Sequence, residues 1–160
     1  MYRVLPVEFF RWCVNSPLAT WVGGTVWGVV FLQTIHVIGL ALFLGGITMI
    51  DLTVLGIGMK QQGKALARDI APWWLAGLAL MLVSGWFMFM GSAISYSTSD
   101  VFAIKMLLLS AGIAVQLLIH YVPGMHDGTV HGRVAACVSL LIWWGVAYSG
   151  RAIAFPELFG

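Results

Sequence analysis

Residues 18–59 form an apolar stretch of 42 positions in which Asp51 is the one side chain able to carry a full charge and His36 is the one histidine. A helix needs about 20 apolar residues to cross the hydrocarbon core of a bilayer. The stretch therefore predicts a membrane helix that is longer than a bilayer requires. Polar groups inside hydrocarbon are costly, so an ionisable residue within a span is a candidate functional residue. His36 is the first such candidate.

The composition extends this prediction to the whole chain. Charged residues make up 9% of the 160 positions and apolar residues 61%, and the mean hydropathy is +0.96. Soluble domains carry roughly 25% charged residues. We therefore expect one integral membrane domain over residues 1–160, in contact with the lipid bilayer. The net charge of +2 is small and scattered, which gives no indication of a nucleic-acid partner.

The apolar segments and the short polar connections between them predict an all-α protein, an up-down four-helix transmembrane bundle. The predicted spans are about 20–58, 70–93, 101–122 and 131–153. The segment VEFFRWCV before them predicts a short interfacial helix, because aromatic residues favour the headgroup region. The 60–69 hinge is basic and the 92–100 loop has no Lys or Arg. The hinge is therefore expected on the cytoplasmic side, with both termini outside.

The two cysteines, Cys13 and Cys137, are far apart in this topology, so no disulfide is expected. The sequence has no CxxC or CxxCH motif, and neither thiolate metal binding nor covalent haem attachment is indicated. His126, Asp127 and His131 in HDGTVH could bind a metal at the membrane face. Their spacing is not an established ligand pattern, and solvated loop histidines are the preferred interpretation.

His120 lies on a helical stripe of the third span together with Lys105 and Gln116. Polar groups in a membrane bundle turn inward or line a cavity, so this stripe is expected to face His36 or to share a ligand with it. An imidazole there could ligate haem iron, relay protons, bind a quinone or only bridge helices. Two such histidines with glycines nearby favour a cofactor, and haem b needs little more than an axial ligand and an apolar slot.

The helix register leaves two arrangements open. Folding the chain at its connections places His36 and Lys105 near one membrane face and His120 and His131 near the other, about 20 Å apart at 1.5 Å per residue. Either helix tilt closes that distance and one haem lies between His36 and His120, or there are two polar layers. Because the sequence does not constrain tilt, the single-haem arrangement is slightly favoured.

The motifs around these residues are QTIHVIGLALFLGG with His36, FAIKMLLL with Lys105, and Gln116 and His120 farther along. Over about residues 20–122 the chain resembles a family of small uncharacterised bacterial four-span proteins. That family is similar to the copper-resistance D-type membrane proteins and to the haem-containing bacterial protoporphyrinogen oxidase. The resemblance implies a b-type haem with His36 as an axial ligand and Lys105 as the partner of an anionic group. It also implies the bacterial inner membrane.

Two departures from the family pattern narrow what the resemblance implies. Asp51 stands where the oxidase-like proteins are basic, which argues against porphyrinogen oxidation. The chain also has fewer spans than the copper-resistance proteins and lacks their Met/His clusters, which argues against copper transport.

The sequence therefore predicts a haem b membrane protein that transfers electrons to or from quinone or a partner oxidoreductase. His36 and His120 would ligate the iron, and Lys105, Arg133 or Arg151 would neutralise the propionates. Further cofactor-binding candidates are Gln116 and His131. One alternative is a porphyrin-oxidising membrane enzyme, and another is a haem-free structural or accessory subunit. A partner oxidoreductase or a second copy of the chain is the expected protein partner.

Overall fold

The computed structural model describes residues 7–57 and 63–154, and in these residues the regular structure is entirely helical. Four helices, α3 to α6, are long enough and apolar enough to cross a membrane. They form the up-down bundle that the sequence predicted, and two short helices precede them. The helices are α1 Val7–Val14, α2 Pro17–Gly24, α3 Val26–Val54, α4 Gly63–Ser97, α5 Asp100–Tyr121 and α6 Val130–Ala154.

The first span begins later than predicted. The helix is interrupted at Thr25, whose backbone is extended with φ −131°, and the Thr25 side chain caps α3 by accepting a hydrogen bond from Gly28 N. The residues from 20 to 24 therefore belong to α2, and the prediction of one helix over 20–58 is wrong at its start. With 29 residues, α3 is about 43 Å long, which still exceeds the hydrocarbon thickness of about 30 Å.

The second span is longer than predicted at both ends. Helix α4 takes in most of the 60–69 hinge and of the 92–100 loop, with a non-helical residue at Ser92, so the prediction of polar linkers there is wrong. Polar side chains do not end a helix once it has left the hydrocarbon. Pro72 therefore lies inside α4 instead of in its first turn. Lys60, the N-terminal residues 1–6 and the tail 155–160 lie outside the described residues.

Helices α3 and α4 approach each other closely because small residues face one another. A Cβ added to Gly77 would lie 2.6 Å from the backbone nitrogen of Phe43 and 2.7 Å from the Gly39 carbonyl oxygen. Small residues commonly allow this approach in membrane bundles. Helix α6 packs on the next face of α3, where the rings of Phe43 and Trp143 meet edge to face with centroids 4.5 Å apart. These two interfaces form the apolar centre of the bundle.

Helix α5 packs against α6, whereas the backbones of α4 and α5 hardly approach each other. Ring stacking bridges these two helices near their connection. The Phe102 ring lies 5.6 Å from the Phe89 ring and 5.0 Å from the Tyr96 ring. The bundle is therefore loosest between α4 and α5, and we call this side the α4–α5 gap.

The predicted N-terminal helix is present as α1, and with α2 it packs on the last turns of α4. Cys13 is fully buried there in a cluster with Ala19, Met90 and Ala93. Val22 lies against Gly91, where an added Cβ would come within 3.0 Å of its side chain. The two short helices therefore cover the end of the bundle that carries His36.

Candidate functional site

The His36 side chain reaches from the middle of α3 to α4. Its Nδ1 lies 2.9 Å from the hydroxyl oxygen of Ser84, a residue that is itself buried. The ring lies over Gly85, where an added Cβ would be 3.2 Å from His36 Cε1. The adjacent Ser84 and Gly85 thus give the imidazole one hydrogen-bond partner and the space that its ring needs.

The hydrogen bonds of Ser84 determine which ring nitrogen carries the proton. Its hydroxyl is bonded to the carbonyl oxygen of Leu80, one turn earlier on α4. A carbonyl has no proton to donate, so the serine hydroxyl is the donor in that bond. Ser84 then accepts from His36, and Nδ1 carries the ring proton. In this neutral tautomer Nε2 keeps its lone pair and can accept a proton or bind a metal.

Lys105 enters the same level from α5. It is half-buried, and its ammonium is close enough to His36 for the two groups to interact electrostatically. On α6, an added Cβ at Gly150 would lie 3.4 Å from Lys105 Nζ, so the glycine leaves room for this side chain. All four long helices therefore contribute to one layer. We call His36, Ser84, Gly85, Lys105 and Gly150 the His36 layer.

The structure separates His36 from His120. His120 follows Lys105 by fifteen positions on the same uninterrupted helix, which is about 22 Å. It is exposed, and its ring contacts Tyr121 with centroids 5.1 Å apart. One iron between His36 and His120 is incompatible with this distance, so the single-haem arrangement is wrong in that respect. The two-layer arrangement agrees with the observed register.

The remaining predicted site residues do not join the His36 layer, and Arg151 comes nearest to it. Arg151 directly follows Gly150 and is exposed in the last turn of α6. His131 and Arg133 are exposed at the start of α6, at the same end as His120. Gln116 is half-buried between the two ends, and its Oε1 makes no hydrogen bond with the described residues.

In the part of the chain that the structure describes, no three His, Cys, Asp or Glu side chains come together, so a metal site built from such side chains alone is not present there. His126 is half-buried and Asp127 is exposed in the connection before α6. A porphyrin-bound metal needs only one or two protein ligands. The His36 layer, with one imidazole and one ammonium, can provide that chemistry.

The polar partners inside the bundle were not predicted from the sequence. Ser84, Thr48 and Ser139 were not among the predicted site residues. The signal for Ser84 was present in the register. When the chain is folded at its first hinge, positions close to 84 come level with His36, and a serine there is a ready hydrogen-bond partner.

A family model described as a family of unknown function, DUF6644, matches residues 9–156. The chain belongs to this family. No curated protein and no solved structure matches it. The matched residues include all four long helices and the whole His36 layer.

Proposed function

We propose that this membrane protein binds a b-type haem with His36 as an axial ligand and transfers electrons to or from quinone or a partner oxidoreductase. The observation that carries the proposal is the His36–Ser84 hydrogen bond inside the bundle. Histidines that bind metals almost always donate their second ring N–H to another group, which fixes the tautomer and the ring orientation. The bonding of Ser84 leaves the Nε2 lone pair of His36 for this role.

The surroundings of His36 meet the other requirements of haem b. Haem needs an apolar slot and positive charge near its propionates. The α4–α5 gap is the loosest part of the bundle, and the aromatic rings of Phe89, Tyr96 and Phe102 lie at one end of it. Lys105 supplies a positive charge beside His36, and Arg151 lies toward the same end. Bundle cores commonly hold cofactors between side chains of facing helices.

The protein groups would have distinct roles in this site. His36 would hold the iron through Nε2, and Ser84 would keep the ring in its tautomer and orientation. Lys105, with Arg151 farther out, would neutralise the propionates, while Gly85 and Gly150 leave space for the ring and the lysine. A haem bound in this way supplies one-electron redox chemistry. The apolar packing of α3 against α4 and α6 excludes water from the inner side of the site.

The two rival functions make different use of the same contacts. In a haem-free accessory subunit, the His36–Ser84 hydrogen bond would only link α3 to α4. In a porphyrin-oxidising enzyme, which the resemblance to the protoporphyrinogen oxidase raises, Lys105 would bind a substrate carboxylate. Electron transfer is the preferred function because one histidine and one lysine suffice for it. Its setting would be the bacterial inner membrane.

Electron transfer is tested by reducing the purified protein and following its reoxidation by a short-chain quinone. We expect reversible changes in the haem absorption bands of the wild type and none in His36→Ala. His120→Ala should behave like the wild type, since His120 is exposed about 22 Å away. A haem spectrum that does not respond to any reductant or quinone would exclude electron transfer. Turnover of a porphyrinogen would favour the enzyme.

A further inference from the structure

A second polar cluster is buried between α3 and α6, fifteen positions after His36 on α3 and so about 22 Å from it. Its centre is Asp51, whose side chain is 4% exposed. Ser139 on α6 is 0% exposed and faces the Asp51 carboxyl group. Thr48 lies one turn before Asp51 and is half-buried. We call Thr48, Asp51 and Ser139 the Asp51 cluster.

The hydrogen-bonding capacity of this cluster is largely unused within the described residues: the Ser139 hydroxyl lies against the Asp51 carboxyl group, but the contact falls short of a well-formed hydrogen bond. Asp51 Oδ2, Ser139 Oγ and Thr48 Oγ1 are all buried, and none has a hydrogen bond of ordinary length and angle. The great majority of buried polar groups have a partner in the protein or an ordered water. Two facing helices therefore bury a carboxyl group and two hydroxyls that do not satisfy one another's hydrogen-bonding capacity, which indicates a bound species between them.

The charge of that species follows from the carboxyl group. An ionised carboxylate buried without a positive partner is too costly to persist. Among the positively charged side chains whose placement the structure describes, none is buried beside Asp51; the side chains of Lys60 and Lys64 are outside that set. At this end of the bundle His126 is half-buried, and the described side chains that can carry charge are otherwise exposed. These exposed side chains are Arg68, Asp69, His120, Tyr121, Asp127, His131 and Arg133.

The donor set fits a cation with a single charge. One carboxylate and two hydroxyls provide one negative charge and several oxygen atoms, and oxygen ligands suit hard cations. We propose that the Asp51 cluster binds one monovalent cation, a proton or a sodium ion, together with water that completes its coordination. The site lies within the last turn of α3, so the cation reaches it from the membrane face opposite the His36 layer. It does not depend on haem.

The proton and the sodium ion are distinguished by infrared spectroscopy and thermal unfolding of the purified protein. A bound proton gives Asp51 the C=O stretching band of a carboxylic acid, which shifts in D₂O and is lost in Asp51→Asn. A bound sodium ion gives no such band. Instead, replacing choline by sodium raises the Tm of the wild type and leaves that of Asp51→Asn unchanged. Asp127→Asn is the control, because Asp127 is exposed, and it should match the wild type.

Ser139→Ala keeps the test decisive if Asp51→Asn does not fold. If Asp51 holds a proton, Ser139→Ala should shift the carboxylic acid band. If it holds sodium, Ser139→Ala should raise the sodium concentration needed for the half-maximal Tm increase by roughly ten-fold, which is the effect expected from losing one hydrogen bond to a charged group. The proposal is overturned if the wild type shows neither the acid band nor a sodium effect. It is also overturned if Ser139→Ala leaves both unchanged.

Discussion

Ser84 Oγ lies 2.9 Å from His36 Nδ1 and is also bonded to the Leu80 carbonyl, so the imidazole proton is on Nδ1. These contacts join His36 in α3 to the backbone of α4. They leave Nε2 as the ring nitrogen with a lone pair. The two hydrogen bonds of Ser84 fix the tautomer and the orientation of the His36 ring, and the predictions for the site depend on both.

Removing the Ser84 hydroxyl should weaken haem binding. Ser84→Ala leaves the ring proton of His36 without its partner, and loss of such an outer partner typically costs about 10–100-fold in metal affinity. Haem titration of the purified variant, followed by absorption, measures the change. Ser110→Ala is a matched control, because Ser110 also bonds one turn back, to Met106, but is exposed. Equal affinities for the two variants would refute the role of Ser84.

Filling the space beside His36 should displace the ring without unfolding the bundle. In Gly85→Val, the new Cβ would start 3.2 Å from His36 Cε1, and the added methyl groups would come closer. We expect most of the haem to be lost and the helical circular dichroism to be kept. Gly45→Val is the control, since an added Cβ there has no neighbour within 4 Å. Normal haem content in Gly85→Val would mean that the ring position is not critical.

The close approach of α3 and α4 should depend on Gly77. In Gly77→Ala the new methyl group would lie 2.6 Å from Phe43 N, and a backbone atom cannot move aside cheaply. Overpacking of this kind costs about 1–3 kcal/mol, so the Tm in detergent should fall. Gly45→Ala on the exposed face of α3 should change the Tm little. Equal Tm values for both variants would contradict the observed helix packing.

Cys13 should report the docking of α1 on the bundle. The side chain is fully buried, and burial raises the pKa of its thiol, so little reactive thiolate is available at neutral pH. In a Cys137→Ser background, a maleimide should label Cys13 much more slowly in the folded protein than in SDS. Labelling at the same rate in both conditions would mean that α1 is not docked in solution.

The fold was predictable because the membrane imposes a length and a composition on each helix. Four apolar runs with short connections permit little besides an up-down bundle. The break at Thr25 was not visible, since Gly and Thr also occur inside membrane helices. The extension of α4 through its polar ends was missed for a related reason, because polarity shows where the hydrocarbon ends and not where the helix ends.

The candidate site was predictable in part. His36 and Lys105 stood out because ionisable groups are rare inside spans, and the register placed them at one level. The prediction that His120 shares an iron with His36 was wrong, because a helical stripe shows which residues share a face of one helix and not which neighbouring helix that face contacts. The role of Ser84 depends on the rotation of α4 about its own axis, which tertiary packing sets and the sequence does not display.

The absorption spectrum of the purified protein and its His36→Ala variant tests the central claim most directly. We expect a Soret band in the wild type and in His120→Ala, and its loss in a His36→Ala protein that still inserts into the membrane. A wild-type protein without a haem spectrum, even after incubation with haemin, would contradict the account. An unchanged Soret band in His36→Ala would contradict the assignment of His36 as the iron ligand.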